Sequence, residues 1–230
     1  MTFKAPADAA LIIIDMQNGF CPGGGLPVTG GDEIVPLVNA LQEAFAPTAI
    51  FATQDWHPAD HKSFASNHPG AKPYDTATMP YGPQVLWPDH CIQNTADADF
   101  HPALTLAKGV RVIRKGTNTN VDSYSAFLEV DKKSQPRFDN GKTLAEVLEA
   151  EGRKTLVLCG LAYDFCVGFS ALDAKALGFD VIVVKGATRP VAIPTGPGAT
   201  TATAMDQRLK DAGVIVIDDI DALTQAISDI

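Results

Sequence analysis

The chain has 230 residues, 46% hydrophobic and 20% charged, with a formal net charge of −9. That supplies one well-buried core. The acidic balance argues against nucleic acid or an anionic membrane as the main partner, since both need a basic face. No apolar run nears the ~18 residues that span a bilayer, and four cysteines in a chain of this length do not make a disulfide scaffold.

The opening stretch MTFKAPADAALIIID carries one lysine and a short apolar run, Ala9–Ile14, that ends in Asp15. It is too short for a signal peptide and reads as the first strand of a cytoplasmic protein. Residues 32–45 follow with Ile34, Leu37, Val38 and Leu41 on one helical face, Pro36 being tolerated in the first turn. A second apolar run covers 49–53. The stretch from about 55 to 108 is rich in Pro and Gly and without clear period; a loop this long in a compact domain is usually functional. A third run covers 110–113, then a helix 143–151, a fourth run 155–159 and a helix 166–177. A fifth run at 181–184 leads into an irregular loop, 191–198, and a helix near 200–212. The sixth run is 214–218, and a short helix over 221–230 closes the chain.

Continuous apolar strands alternating with helices predict an α/β fold. We expect one domain over residues 1–230 with a six-stranded, mostly parallel sheet and helices on both faces. Ligands in such folds sit in the crevice at the C-terminal strand ends. The residues expected there are Asp15 and Gln17 after the first strand, and Asp55 and His57 after the second. Arg114, Lys115 and Gly116 follow the third, and Gly160 with Cys166 the fourth.

Asp15, Lys115 and Cys166 make a chemical set. A thiol needs deprotonation to attack, a carboxylate can take its proton and deliver it to a leaving amine, and a cation or helix N-terminus favours the thiolate. Backbone N–H groups between Gly160 and Cys166 can hold an oxyanion. Singly, each residue has a structural reading: a loop cap for Asp15, a solvated charge for Lys115, inert packing for a core cysteine. Cys159 is read as inert packing, and Cys21 and Cys91 as structural. Convergence on three strand ends favours chemistry. A second constellation, Asp55, His57 and His90, suits a divalent metal such as Zn²⁺, Mn²⁺ or Fe²⁺, although D-x-H spacing alone is a weak signal. His61 is left open as a fourth ligand, a neighbour of the ligands or a surface residue; His68 and His101 are read as surface residues, and Gly23, Gly24 and Gly25 as a flexible turn or lid.

The stretches LIIIDMQNGFCPGGGL, QDWHPADHKSFA, LWPDHCIQNT, RKGTNTNVDSYSAF and CGLAYDFCVGFSALDA resemble the nicotinamidases (pyrazinamidases) of the isochorismatase-like cysteine hydrolases, in order and over most of the chain. The resemblance implies hydrolysis of nicotinamide to nicotinate and ammonia for NAD salvage through a cysteine thioester, with pyrazinamide also accepted. It implies Asp15, Lys115 and Cys166 as the catalytic triad, with Lys115 biasing Cys166 towards thiolate. Ala162 and Cys166 N–H groups would form the oxyanion hole, after a cis Leu161–Ala162 bond. Phe20, Leu26, Trp87, Tyr124 and Leu161 would bind substrate. Asp55, His57 and His90 would hold one metal, Zn²⁺ before Mn²⁺ or Fe²⁺, that orients the ring nitrogen, within a metal-binding loop insertion at about 55–108. Tyr163, Phe165 and Gly19 depart from the family pattern, where threonine, a variable residue and aspartate are common. Partners are small amides, with no nucleic acid or membrane and room for a homo-oligomer. A sister amidase acting on carbamoyl or ureido compounds and a non-catalytic binding module are the rival readings.

Overall fold

Six aliphatic runs form one parallel sheet: β1 (Ala9–Ile14), β2 (Ile50–Asp55), β5 (Arg111–Lys115), β6 (Thr155–Leu161), β7 (Asp180–Arg189) and β10 (Ile215–Ile217). The computed structural model describes residues 4–228. Asp229 and Ile230 of the predicted last helix, and the first three residues of the chain, lie outside the described residues. The strand order is β10-β7-β6-β1-β2-β5. The chain runs outward from β1 through β2 to β5, then returns to the other side of β1 for β6, β7 and β10. The order therefore reverses between β1 and β6, and the crevice between their C-terminal ends is where open α/β sheets bind ligands.

β1, β2 and β6 are buried at every residue, which is why they read as continuous rather than alternating apolar runs. β5 is an edge strand and alternates: Ile113 and Lys115 are buried, Val112 and Arg114 exposed. This parity corrects one expectation, since Arg114 does not enter the crevice. Its guanidinium stacks on Trp56, 3.9 Å from the ring centroid.

The helices are α1 (Val35–Gln42), α2 (Leu144–Ala150), α3 (Gly168–Ala176), α4 (Thr201–Asp211) and α5 (Leu223–Ser228). α1 begins with Pro36 in its first turn, as expected. α2 and α4 start with capping boxes built by Thr143 with Glu146 and by Thr200 with Thr203. α1 and α3 pack on β7, α4 and α5 on β10.

Two segments read as irregular carry small antiparallel ribbons. Within 55–108, β3 (Thr76–Met79) pairs with β4 (Gly82–Val85), and after β7, β8 (Pro194–Gly196) pairs with β9 (Ala199–Thr200). β7 also runs five residues past the predicted 181–184 to Arg189, with a register shift against β6 between Leu158 and Gly160. At Gly160, φ is +110° and an added Cβ would lie 2.0 Å from the Ile14 carbonyl oxygen, so only glycine lets β6 approach β1 this closely.

Candidate active site and metal centre

Asp15 sits just past β1 with a left-handed φ of 44°. Thr53 on the neighbouring strand holds it there: its hydroxyl accepts from the Asp15 N–H at 3.1 Å and donates to Asp15 Oδ1. Lys115, at the end of β5, is fully buried. Its Nζ lies 2.8 Å from Asp15 Oδ2, 3.3 Å from Cys166 Sγ and 3.1 Å from the Ser123 carbonyl oxygen, and it is ion-paired with Asp55 Oδ1.

Cys166 does not open an α-helix as expected. Residues Tyr163–Val167 form a π-helical turn in which Val167 N–H reaches back to the Ala162 carbonyl, and α3 begins only at Gly168. Such turns recur at functional sites. The Leu161–Ala162 peptide is cis, as the resemblance implied. Ligating atoms of Asp15, Asp55 and Cys166 lie within 4.8 Å of one another, so the acid, amine and sulfur expected from separate strand ends do meet.

The electrostatics refine the expected thiolate bias. Burial pushes the Cys166 thiol well up, Lys115 pulls it down, and Asp15 and Asp55 push it up again; the net shift is strongly upward. Asp15 is raised as well, chiefly by burial, with Lys115 opposing. Burial would neutralise Lys115, but Asp15 and Asp55 outweigh it and hold the ammonium charged. A thiol and a carboxylate held beside one fixed cation are an arrangement for proton transfer during attack.

The metal candidates also converge. Asp55 Oδ2 lies 3.5 Å from His57 Nε2 and 3.7 Å from His90 Nε2, all three side chains being buried. Each imidazole has its other nitrogen engaged by a carbonyl: His57 Nδ1 with Gly116 O at 3.0 Å, His90 Nδ1 with Pro88 O at 2.8 Å. Those contacts place the proton on Nδ1 and leave the Nε2 lone pairs facing the carboxylate, the orientation ligands to a divalent cation take. The donor set fits such a cation. Gly116, at φ +65°, is required here, because an added Cβ would fall 2.3 Å from the His57 ring. Asp55 serves both groups, one oxygen towards the histidines and the other on Lys115.

His61 is not a surface residue. It is fully buried with Nδ1 2.7 Å from Ser63 Oγ and Nε2 3.3 Å from the Val121 carbonyl. Its ring lies 4.3 Å from that of His57, and burial lowers it to about 4. His57, His61 and Asp122 also offer ligand atoms within 4.8 Å of one another, so both the ligand and the neighbour readings of His61 stand. His68 is half-buried on the Lys62 carbonyl, and His101 is half-buried too. Cys159 is fully buried and its thiol pushed up by burial alone. Cys91 packs by Asp97, whose carboxylate lies 2.7 Å from where a Gly19 Cβ would stand; Asp97 thus fills the space at that departure. At Gly24 and Gly25 an added Cβ would fall 2.2 Å and 2.1 Å from neighbouring carbonyl oxygens, whereas at Gly23 it would meet nothing within 4 Å.

Phe20, Leu26, Trp87 and Tyr124 line one small cavity with Asp55, His90, Ala162, Phe165, Cys166 and Val191. Four of the five residues carried over for substrate binding are there. Leu161 is the exception: it is fully buried at the end of β6 and does not line the cavity. Phe165 packs edge-on against Trp87 at 4.8 Å. Trp87 Nε1 and Gln84 Nε2 donate to the Tyr124 hydroxyl at 3.1 and 3.0 Å. Tyr163 turns away to hydrogen-bond Asp206, so that departure leaves the cavity untouched. The open volume is about 20 Å³, room for one water. A larger cavity of about 350 Å³, lined by Cys21, Asp32 and His101 among others, lies apart from the triad. Thr53, Ser123 and Val191 were not singled out by sequence reasoning. Only Thr53, a hydroxyl in an apolar run, carried a signal.

An isochorismatase domain profile matches residues 9–219. The Acinetobacter baylyi nicotinamidase is 47% identical over 83% of this chain and 86% of its own length. The Acinetobacter baumanii nicotinamidase/pyrazinamidase structure superposes with a TM-score of 0.85 at 42% identity, covering 95% of this chain and 99% of that one. The Pyrococcus horikoshii pyrazinamidase in complex with zinc gives a TM-score of 0.69 at 31% identity, covering 91% and 98%. The chain thus belongs to the isochorismatase-domain family, on its nicotinamidase branch.

Proposed function

We propose that this protein hydrolyses nicotinamide to nicotinate and ammonia, and pyrazinamide to pyrazinoate, through a thioester on Cys166. The observation that carries the reading is a buried thiol, carboxylate and ammonium meeting at an aromatic cavity that Asp55 and His90 also line. As Sγ attacks the carboxamide carbon, Asp15 takes the thiol proton, which avoids a free thiolate in a buried site. The oxyanion is received by the Ala162 and Cys166 N–H groups. Asp15 returns the proton to the leaving nitrogen, ammonia departs, and the acyl group stays on sulfur. Asp15 then takes a proton from water, which attacks the thioester and regenerates the thiol with release of the acid. Lys115 keeps Asp15 oriented and its charge compensated throughout.

Asp55, His57 and His90 would hold one divalent cation, zinc foremost, and when bound it supplies a Lewis-acid contact for a ring nitrogen. Phe20, Trp87, Tyr124 and Phe165 flank the ring. The whole chain acts as one domain, with the 55–108 segment bringing His90 to the site. Four free cysteines suit a reducing cytoplasm, where nicotinate feeds NAD salvage. No helix among the described residues is long and apolar enough to cross a membrane. Ammonia release measured on nicotinamide, pyrazinamide and a panel of carbamoyl and ureido compounds tests the reading. Turnover confined to the ureido compounds would replace it with the sister-amidase reading.

A further inference from the structure

The turn that carries the nucleophile also carries a carboxylate for which the proposed chemistry has no use. Asp164 is 2% exposed and stands two residues before Cys166. Its Oδ1 accepts from Val191 N–H at 2.8 Å; Oδ2 accepts from Ala192 N–H at 2.8 Å and from the Thr201 hydroxyl. Thr201, the first residue of α4, is tied to the same strap: its hydroxyl accepts from Ile193 N–H at 3.0 Å and its N–H donates to the Ile193 carbonyl at 2.9 Å.

This clamp has something to hold. None of residues 190–200 is fully buried, and only Val191 and Ile193 lean partly on the core, so the hydrogen bonds to Asp164 carry much of the strap's placement. Ala192 has a left-handed φ of 59°, uncommon for a residue with a Cβ. Val191, directly beside it, is a wall of the catalytic cavity. A carboxylate accepts from all three donors, whereas an amide side chain has one acceptor oxygen and would turn its own N–H₂ on one of them.

We propose that Asp164 is a positioning residue that decides which ring carboxamides the cavity admits, by clamping Val191 at a fixed place relative to Cys166. The inference rests on the amidase reading of the site and adds a selectivity determinant to it. The ligand class is the heteroaromatic carboxamide, and the held wall sets how readily a ring substituent is accommodated.

The test is Asp164→Asn, read in two ways. Amide hydrogen exchange at Val191 and Ala192 should quicken by about tenfold or more, a readout independent of activity. The ratio of kcat/KM for nicotinamide over 5-methylnicotinamide should fall by about fivefold or more, through KM, with kcat on nicotinamide within about threefold of wild type. Thr201→Val, which removes one donor outside the turn, should move both readouts the same way by about threefold and serves if the first variant does not fold. Unchanged exchange, or kcat and Tm falling together with the ratio unmoved, would overturn the inference. Wild-type protein inactive on nicotinamide would overturn the amidase reading itself and the inference with it; active wild type with an unmoved ratio in the variants would overturn the inference alone.

Discussion

Lys115→Met removes the one cation that stands between two buried carboxylates and leaves its methylene volume in place. Removing one partner of a buried ion pair costs about 3–5 kcal/mol, because the remaining charge stays desolvated and uncompensated. Here two charges remain, with ligating atoms of Asp15 and Asp55 within 4.8 Å. For a chain of this length that loss lowers Tm by about 6–20 °C. The pH dependence follows from the directions of the shifts. Lys115 is raised, so its contribution is complete below the ordinary lysine range and is lost only as pH climbs through its raised value; it is constant from pH 5 to 9. Burial opposes ionisation of Asp55, but Lys115 holds it well down, so its contribution is present at neutral pH and lost only in strong acid. Without Lys115 both carboxyls rise, and a raised carboxyl destabilises the fold above the ordinary carboxylate range. The deficit of Lys115→Met should therefore be largest near pH 8 and shrink by about 1 kcal/mol or more near pH 5. Urea unfolding of wild type and variant at both pH values measures it. A deficit under about 1 kcal/mol that is the same at both would refute the reasoning.

Asp55→Ala should lower the metal-to-protein ratio of purified protein, with affinity down by about 10–100-fold or more and KM raised, as elemental analysis and ammonia release will report; an unchanged ratio would contradict the ligand assignment. Glu129 is a buried carboxyl in the loop beyond Ser123, raised by burial to about 7. A raised carboxyl makes stability fall as pH rises from the ordinary glutamate range to that value, by about 1.4 kcal/mol per unit at most. Glu129→Gln should flatten that slope in urea unfolding between pH 5 and 7, and an identical slope in both proteins would contradict the shift.

The central sheet was legible because β1, β2 and β6 are buried throughout, and burial of both faces writes itself as an unbroken aliphatic run. The triad was legible because the sheet order turns distant strand ends into neighbours, a rule of topology rather than of local pattern. Arg114 was misplaced because membership of a strand end does not settle parity; only the pairing of β5 with β2 put Lys115 inward and Arg114 outward. The two ribbons went unread since they are short and contain Pro and Gly. Asp164 and Val191 stand 27 positions apart, and Thr53 and Asp15 stand 38 apart. Contacts of that reach leave no period in the sequence. Leu161 was carried over with the turn it belongs to, but its side chain goes into the core.

The account stands on Cys166 becoming acylated. Rapid quench of the protein during turnover of nicotinamide, followed by mass analysis of its peptides, should find the nicotinoyl increment on the peptide bearing Cys166 and on no other cysteine, and Cys166→Ala should yield neither adduct nor ammonia. Full turnover in Cys166→Ala, or an acyl group found on Cys21, Cys91 or Cys159 instead, would contradict it.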